Sequence, residues 1–306
     1  MAFGMIGTSD APAVADAAPG RRSPVALLLL LPGVAYLALF FVVPFVSLIV
    51  TSLKAPDPFG EIGRYVYAFR WENYVEVMTT YWPHIARSFG FAIAATIIAL
   101  LIGYPIAYFI GVKLRRFPLL QALALVLVIA PFFISFLLRT FAWKQILADE
   151  GPVLGVLQSL TILPDDARLT GTAGAVIFGI AYNFIPFMTL PIYTSLERLD
   201  LRYLEAGGDL YASPATTFFK VTLPLSMPGV VSGTLLTFIP AAGDYINASS
   251  DFLGAPDTAM IGNVIEANFL RVENYPVAAS LSIILMGAIL LLVGLYIRRA
   301  GTKDLV

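Results

Sequence analysis

The residues able to do chemistry in this sequence are few, and most stand inside or beside long apolar runs. Asp244 lies in FIPAAGDYI, at the end of one such run. A carboxylate there accepts an ammonium group, and Tyr245 beside it offers a ring face to a cation. The competing reading is a charge that stops a helix at the lipid–water boundary. Tyr182 and Asn183 sit within another run, where an amide either holds a passing solute or bridges helices. Glu266 is a further carboxylate, in the segment before the last run. Arg139 would repel a cation, so it is expected to pair with Asp244 or Asp149, or to reach toward the interface. His84, beside Tyr81 and Trp82, reads as an interfacial residue.

Catalysis finds no such footing. The chain has no cysteine and one histidine, which excludes thiol nucleophiles, thiolate metal sites and a histidine-built zinc centre. It has no GxxxxGK[ST] loop to cradle phosphates and no HExxH pair. No catalytic residue, no metal ligand and no cofactor is therefore assigned. The chain is expected not to be an enzyme.

The elements that carry these residues follow from composition. Apolar residues make up 58% of the chain and charged ones 13%, against roughly 45–50% and about 25% in soluble domains. A helix crosses a bilayer with about 20 apolar residues. Six stretches qualify: 25–50, 88–112, 118–141, 173–195, 227–246 and 277–297. Pro131 and Pro240 interrupt the third and fifth, which membrane helices tolerate. Residues 1–24, rich in Ala, Pro and Asp, are expected to be a disordered cytoplasmic tail. The uncharged run from Val25 to Leu53 is too long for a signal-peptide core and is expected to be a retained span.

Orientation comes from the basic residues. Eleven of the nineteen collect on one side: Arg21, Arg22, Lys113, Arg115, Arg116, Arg198, Arg202, Lys220, Arg298, Arg299 and Lys303. That side is expected to be cytoplasmic and to hold both termini. On the other, WENYVEVMTTYW (71–82) places Trp71, Tyr74, Val75 and Met78 at helical spacing, as in a short amphipathic helix on the membrane surface. The net charge of -1 gives no reason to expect nucleic acid.

One inward loop, 196–226, is long where the others are short. Leu199, Tyr203, Ala206 and Leu210 recur at helical spacing. Ser213-Pro214 then reads as a second helix start, serine capping a free N–H and proline at the first helical position. Pro224 and Pro228 end that helix. Two short helices joined by a turn are expected.

This loop resembles the "EAA" signature of ABC importer permeases: Glu-Ala-Ala, three residues, Gly, nine residues, Ile-x-Leu-Pro. Here Glu205-Ala206-Gly207 is followed at the same spacing by Tyr211 and by Val221-Thr222-Leu223-Pro224. Gly207 stands where the family has alanine, and Tyr211 where it has the glycine of the turn. Tyr211 must therefore either reshape the turn or take up a strained backbone. LIGYPIAYFI, FFISFLLRTFAW, YNFIPFMTLPIYTSLERLD and LGAPDTAMIGNVI extend the resemblance, which is greatest to the spermidine/putrescine group. It implies an all-α membrane protein with six transmembrane helices in the type I ABC importer permease (MetI-like) fold, spanning 25–300 in the bacterial inner membrane. It also implies a second homologous permease, two ATP-binding subunits that hold the ATP and Mg, and an extracytoplasmic solute-binding protein. Glu205, Ala206, Gly207, Asp209, Tyr211, Leu223 and Pro224 would then couple to the ATPase.

The cargo implied is a polyamine. Related importers carry betaine, opine-like compounds or inorganic ions on similar frameworks. A gradient-driven secondary transporter is the alternative of another class, but it calls for two related halves with paired broken helices. No repeat relates 25–141 to 173–297.

Overall fold

The computed structural model describes residues 24–60 and 63–300. All of the expected tail except Pro24 lies outside the described residues, as do Arg21, Arg22 and Lys303. The chain divides into two units at the Leu48–Ile49 junction. Most of helix α1 (Leu28–Ser52) belongs to the first. It holds no charged residue, and a π-turn at Ala38–Val42 follows Pro32.

In the second unit a hairpin of β1 (Lys54–Pro56) and β2 (Tyr65–Tyr67) pairs Ala55 with Val66. The helices are α2 (Glu72–Arg116), α3 (Pro118–Phe133), α4 (Phe136–Leu147), α5 (Pro152–Ser159), α6 (Ala173–Glu197), α7 (Arg202–Asp209), α8 (Pro214–Leu225), α9 (Met227–Ala242), α10 (Ile261–Leu270) and α11 (Tyr275–Arg298). Among the described residues α1, α2, α6 and α11 are long and apolar enough to cross a bilayer. Six spans result if each of two bent pairs counts as one.

The bends have local causes. α3 closes in a 3₁₀ turn around Pro131, and the chain then extends through Ile134 and Ser135, turning by 93° into α4 and α5. The break before α9 falls at Ser226 and not at Pro240. Pro224 and Pro228 flank that serine and can donate no backbone hydrogen bond, and the helix bends there by 66°. Pro240 stays inside the last turns of α9.

The helix expected at 71–82 is not a separate surface element. It forms the first turns of α2, which runs on through Pro83. Val77 is fully buried in a cluster with Ile85, Ile261 and Leu281, and the Asn73 amide donates to the Ser52 and Lys54 carbonyls at 2.8 and 2.9 Å. The face that meets protein is that of Asn73 and Val77, whereas Trp71, Val75 and Met78, the apolar face expected from the spacing, remain exposed.

α6 lies at the centre, packed on α2 and α9. One cluster joins Ala92, Ala95, Ile180, Phe184 and Ala241; a second joins Ala99, Tyr104, Met188, Ile192 and Val230. Small residues set these distances, because helices in lipid associate by close packing and not by escape from water. A methyl group at Gly229 of α9 would stand 2.6 Å from the Pro191 carbonyl oxygen; one at Gly233 would stand 2.8 Å from that of Met188.

Candidate functional site

The loop between α6 and α9 forms the two expected helices. Asp200 Oδ1 accepts from the Arg202 amide at 3.0 Å where α7 starts, and the Ser213 hydroxyl caps α8 by accepting from the Thr216 amide at 3.1 Å. α7 ends in a Schellman turn, in which the Tyr211 amide donates to the Gly208 carbonyl at 2.9 Å and the Ala212 amide to the Gly207 carbonyl at 3.0 Å. The motif needs a left-handed residue at its apex. Tyr211 supplies it at φ +56°, a conformation that costs a residue with a Cβ about 1–2 kcal/mol. The turn keeps its ordinary shape, and the tyrosine carries the strain.

Gly207 has a different reason. A methyl group there would come within 2.8 Å of Thr217 Oγ1, so the missing side chain lets α7 and α8 pack closely. Alanine is the better helix former by about 1 kcal/mol, but here it would push the two helices apart.

The far end of the loop is gripped by the bundle. The Tyr104 hydroxyl shares a 2.7 Å hydrogen bond with Ser226, and Phe218 packs edge-on against Tyr104 and Tyr108 at 5.4 and 6.1 Å. Leu223 packs on the second core cluster, with Pro224 next to it. At the near end Arg115 donates to the Leu199 carbonyl at 2.7 Å. The two short helices are thereby fastened to the bundle at both ends of the loop. Glu205, Ala206 and Asp209 lie exposed on α7, and neither carboxylate has an ion-pair partner among the described residues. Glu205 lines a cavity of about 370 Å³ with Lys113, Arg116 and Phe117.

The residues singled out for a solute path fall into two groups. Asp244 and Asn183 belong to one buried network. Asp244 accepts from the Asn247 backbone amide and from its side-chain amide, each at 2.8 Å. Asn183 donates to Asn247 Oδ1 and Thr140 Oγ1, both at 3.3 Å. Asp244 is only 7% exposed; it neither stops a helix in solvent nor lies open, but holds Asn247, whose Oδ1 ties the segment after α9 to α4 and α6. Tyr182 packs against Trp143 at 5.2 Å. Tyr245 and Glu266 form the second group, in a cavity of about 190 Å³ shared with Asp251 and Arg271, and Arg271 stands 3.7 Å from Glu266.

Arg139 departs from expectation. It pairs with neither Asp149, which meets Arg168 at 3.5 Å, nor Asp244, whose oxygens Asn247 occupies. Its guanidinium is buried 5.7 Å from the Phe136 ring centre, with Nε and Nη1 unpartnered among the described residues. Thr140 and Asn247 were not visible as site residues in the sequence. Only the Asp-x-x-Asn spacing, which suits a carboxylate capping the following backbone, hinted at one of them.

Removing Asn247 is therefore expected to cost more than its size suggests. Asn247→Ala deletes one side-chain donor to a buried carboxylate and the acceptor of the Asn183 amide and the Thr140 hydroxyl. About 2–3 kcal/mol of stability should go with charged hydrogen bonds of this kind, read as a lower thermal transition of the detergent-solubilised chain. An unchanged transition would show that the network is idle.

Membrane-length helices, two broken pairs and a clasped two-helix loop define a polytopic helical membrane protein, with no cluster of His, Asp and Glu among the described residues able to hold a metal. Comparison with known proteins narrows the class. Residues 103–301 match the family described as binding-protein-dependent transport system inner membrane component. The chain is 35% identical to the spermidine/putrescine transport system permease protein PotB of Escherichia coli, covering 84% of this chain and 92% of that one. It is 36% identical to the Haemophilus influenzae protein of the same name, over 86% and 90%. In fold it matches a bacterial ABC transporter that imports the acidic polysaccharide alginate, at a TM-score of 0.65 and 15% identity, over 91% of this chain and 96% of that one.

The chain belongs to the family of binding-protein-dependent inner-membrane transport components. It is an ABC importer permease, a transport subunit and not an enzyme, with ATP hydrolysis left to a separate subunit. The family implies an ATPase and a solute-binding protein as partners.

Proposed function

We propose that this chain is one of two homologous permease subunits in an ATP-driven importer of polyamines such as spermidine and putrescine. Six spans cross the inner membrane, each bent pair counting as one, with both termini in the cytoplasm. The loop 196–226 then faces the cytoplasm and seats in one of two ATPase subunits, which hold the ATP and Mg. Glu205, Ala206, Gly207, Asp209 and Tyr211 form the seated part, and Leu223 and Pro224 pass its motion to the bundle.

The observation that carries this reading is the identity of more than a third over nearly the full length of spermidine/putrescine permeases. The loop geometry supports it independently, because a loop exposed at its tip and held to the bundle at both ends suits the transmission of a push. On the opposite side, Asp244, Asn183 and Tyr182 frame the path, while Tyr245 and Glu266 stand at its mouth.

The test is reconstitution in proteoliposomes with the cognate second permease, ATPase and binding protein. Spermidine uptake is expected to require ATP and the binding protein, and to exceed uptake of betaine at least tenfold. ATP-dependent uptake of betaine or an inorganic ion without spermidine uptake would keep the importer and reassign its cargo. Uptake driven by an ion gradient without ATP would overturn both.

A further inference from the structure

Tyr211 is held in a left-handed conformation at the apex of the α7–α8 turn, and its side chain is 99% exposed. The hydrogen bonds that close the turn come from backbone amides, so glycine would close it equally well and without strain. Nothing within the chain uses the ring: no aromatic or cationic partner and no hydrogen bond to its hydroxyl occurs among the described residues. Leu210, the residue before it, is 80% exposed. Two large side chains held in water at one tip, one of them on a strained backbone, need a reason outside the chain.

We propose that Tyr211 is an aromatic anchor that enters an apolar recess of the ATPase subunit and determines which ATPase this permease accepts. The inference rests on the coupling reading above. A lipid surface fits less well, since Glu205 and Asp209 would bring carboxylates against anionic headgroups. A protein recess with a cationic rim suits both the ring and its acidic neighbours. Tyrosine is also among the residues that dominate interface affinity, because it brings a large rigid surface for the loss of little rotamer freedom.

The test compares wild type with Tyr211→Gly and Tyr211→Phe in nanodiscs. Tyr211→Gly is expected to bind the ATPase subunit at least tenfold more weakly, while the permease alone melts no lower than wild type because the strain is gone. Tyr211→Phe should stay within about twofold, since the ring provides the contact. Equal binding by Tyr211→Gly, or weaker binding accompanied by a lower melting temperature, overturns the anchor. The chain has no cysteine of its own, so Tyr211→Cys gives a single site for a water-soluble maleimide. Labelling should fall when the ATPase subunit is added, whereas blockage by the bilayer alone would assign the ring to lipid and overturn the proposal. If Glu205→Lys abolishes binding while Tyr211→Gly does not, the coupling loop stands and the anchor falls. If the wild type fails to bind the ATPase subunit, both fall.

Discussion

Leucine in place of Gly229 is expected to leave almost no folded permease. A single methyl group there would already stand 2.6 Å from the Pro191 carbonyl oxygen and 2.9 Å from Ile192 Cα. These are backbone atoms and cannot rotate aside, so α9 must leave α6. Gly233 repeats the contact one turn on, which makes GVVSG a small-xxx-small seam. Overpacking a flexible core costs about 1–3 kcal/mol, and this seam, closed by backbone on one side, should exceed that range. Against a total stability of about 5–15 kcal/mol, the folded yield should collapse. The matched control is Gly287→Leu in α11, where an added methyl would meet nothing within 4 Å. The measurement is the monodisperse fraction in size-exclusion chromatography after detergent extraction. A normal profile and normal uptake for Gly229→Leu would mean that α9 and α6 do not meet as described.

The second large effect is on coupling and spares the fold. Glu205→Lys should lower ATP-dependent uptake at least tenfold while the protein reaches the membrane in normal amount. Glu205 is exposed, and no ion pair within the described structure depends on it, so folding has little to lose. The new lysine would join Lys113 and Arg116 around the same cavity and reverse the charge offered to the ATPase. Uptake and the ATPase activity stimulated by the binding protein should fall together. Normal values of both, with normal membrane abundance, would remove Glu205 from the coupling contact. The two variants separate the halves of the proposal, since Gly229→Leu removes the path and Glu205→Lys leaves it intact but without its drive.

Much of this architecture is legible in the residues because lipid is an undemanding solvent to read. A run such as Val25–Leu53 has no stable place outside a bilayer or a protein core, so length and apolarity alone announce a span. The paired helices of the loop were legible for a local reason: Ser213-Pro214 and the prolines at 224 and 228 act on their own backbone. The family resemblance added the spacing from Glu205 to Pro224.

Other features were hidden because they depend on what stands opposite. The stretch 71–82 reads as a helix of its own, yet it is the start of α2, which continues through Pro83, with Val77 held by α10 and α11 and Asn73 by the carbonyls of Ser52 and Lys54. Pro240 looks like the break in the fifth span, yet the bend comes at Ser226, between Pro224 and Pro228. Gly207 reads as a weakened helix until Thr217 is seen against it, and Arg139 reads as half of an ion pair whose carboxylates prove to be engaged elsewhere.

By itself, then, the sequence determined the solvent, the number of apolar runs and the position of the two-helix loop, since each depends on composition or on neighbours along the chain. Only the tertiary structure decided that Asn247 joins Asp244 to Thr140 and Asn183, that glycines let α9 meet α6, and that Tyr211 bears a left-handed backbone in full exposure. Those outcomes depend on distances between segments far apart in sequence, or on a turn whose dihedral angle no spacing rule records.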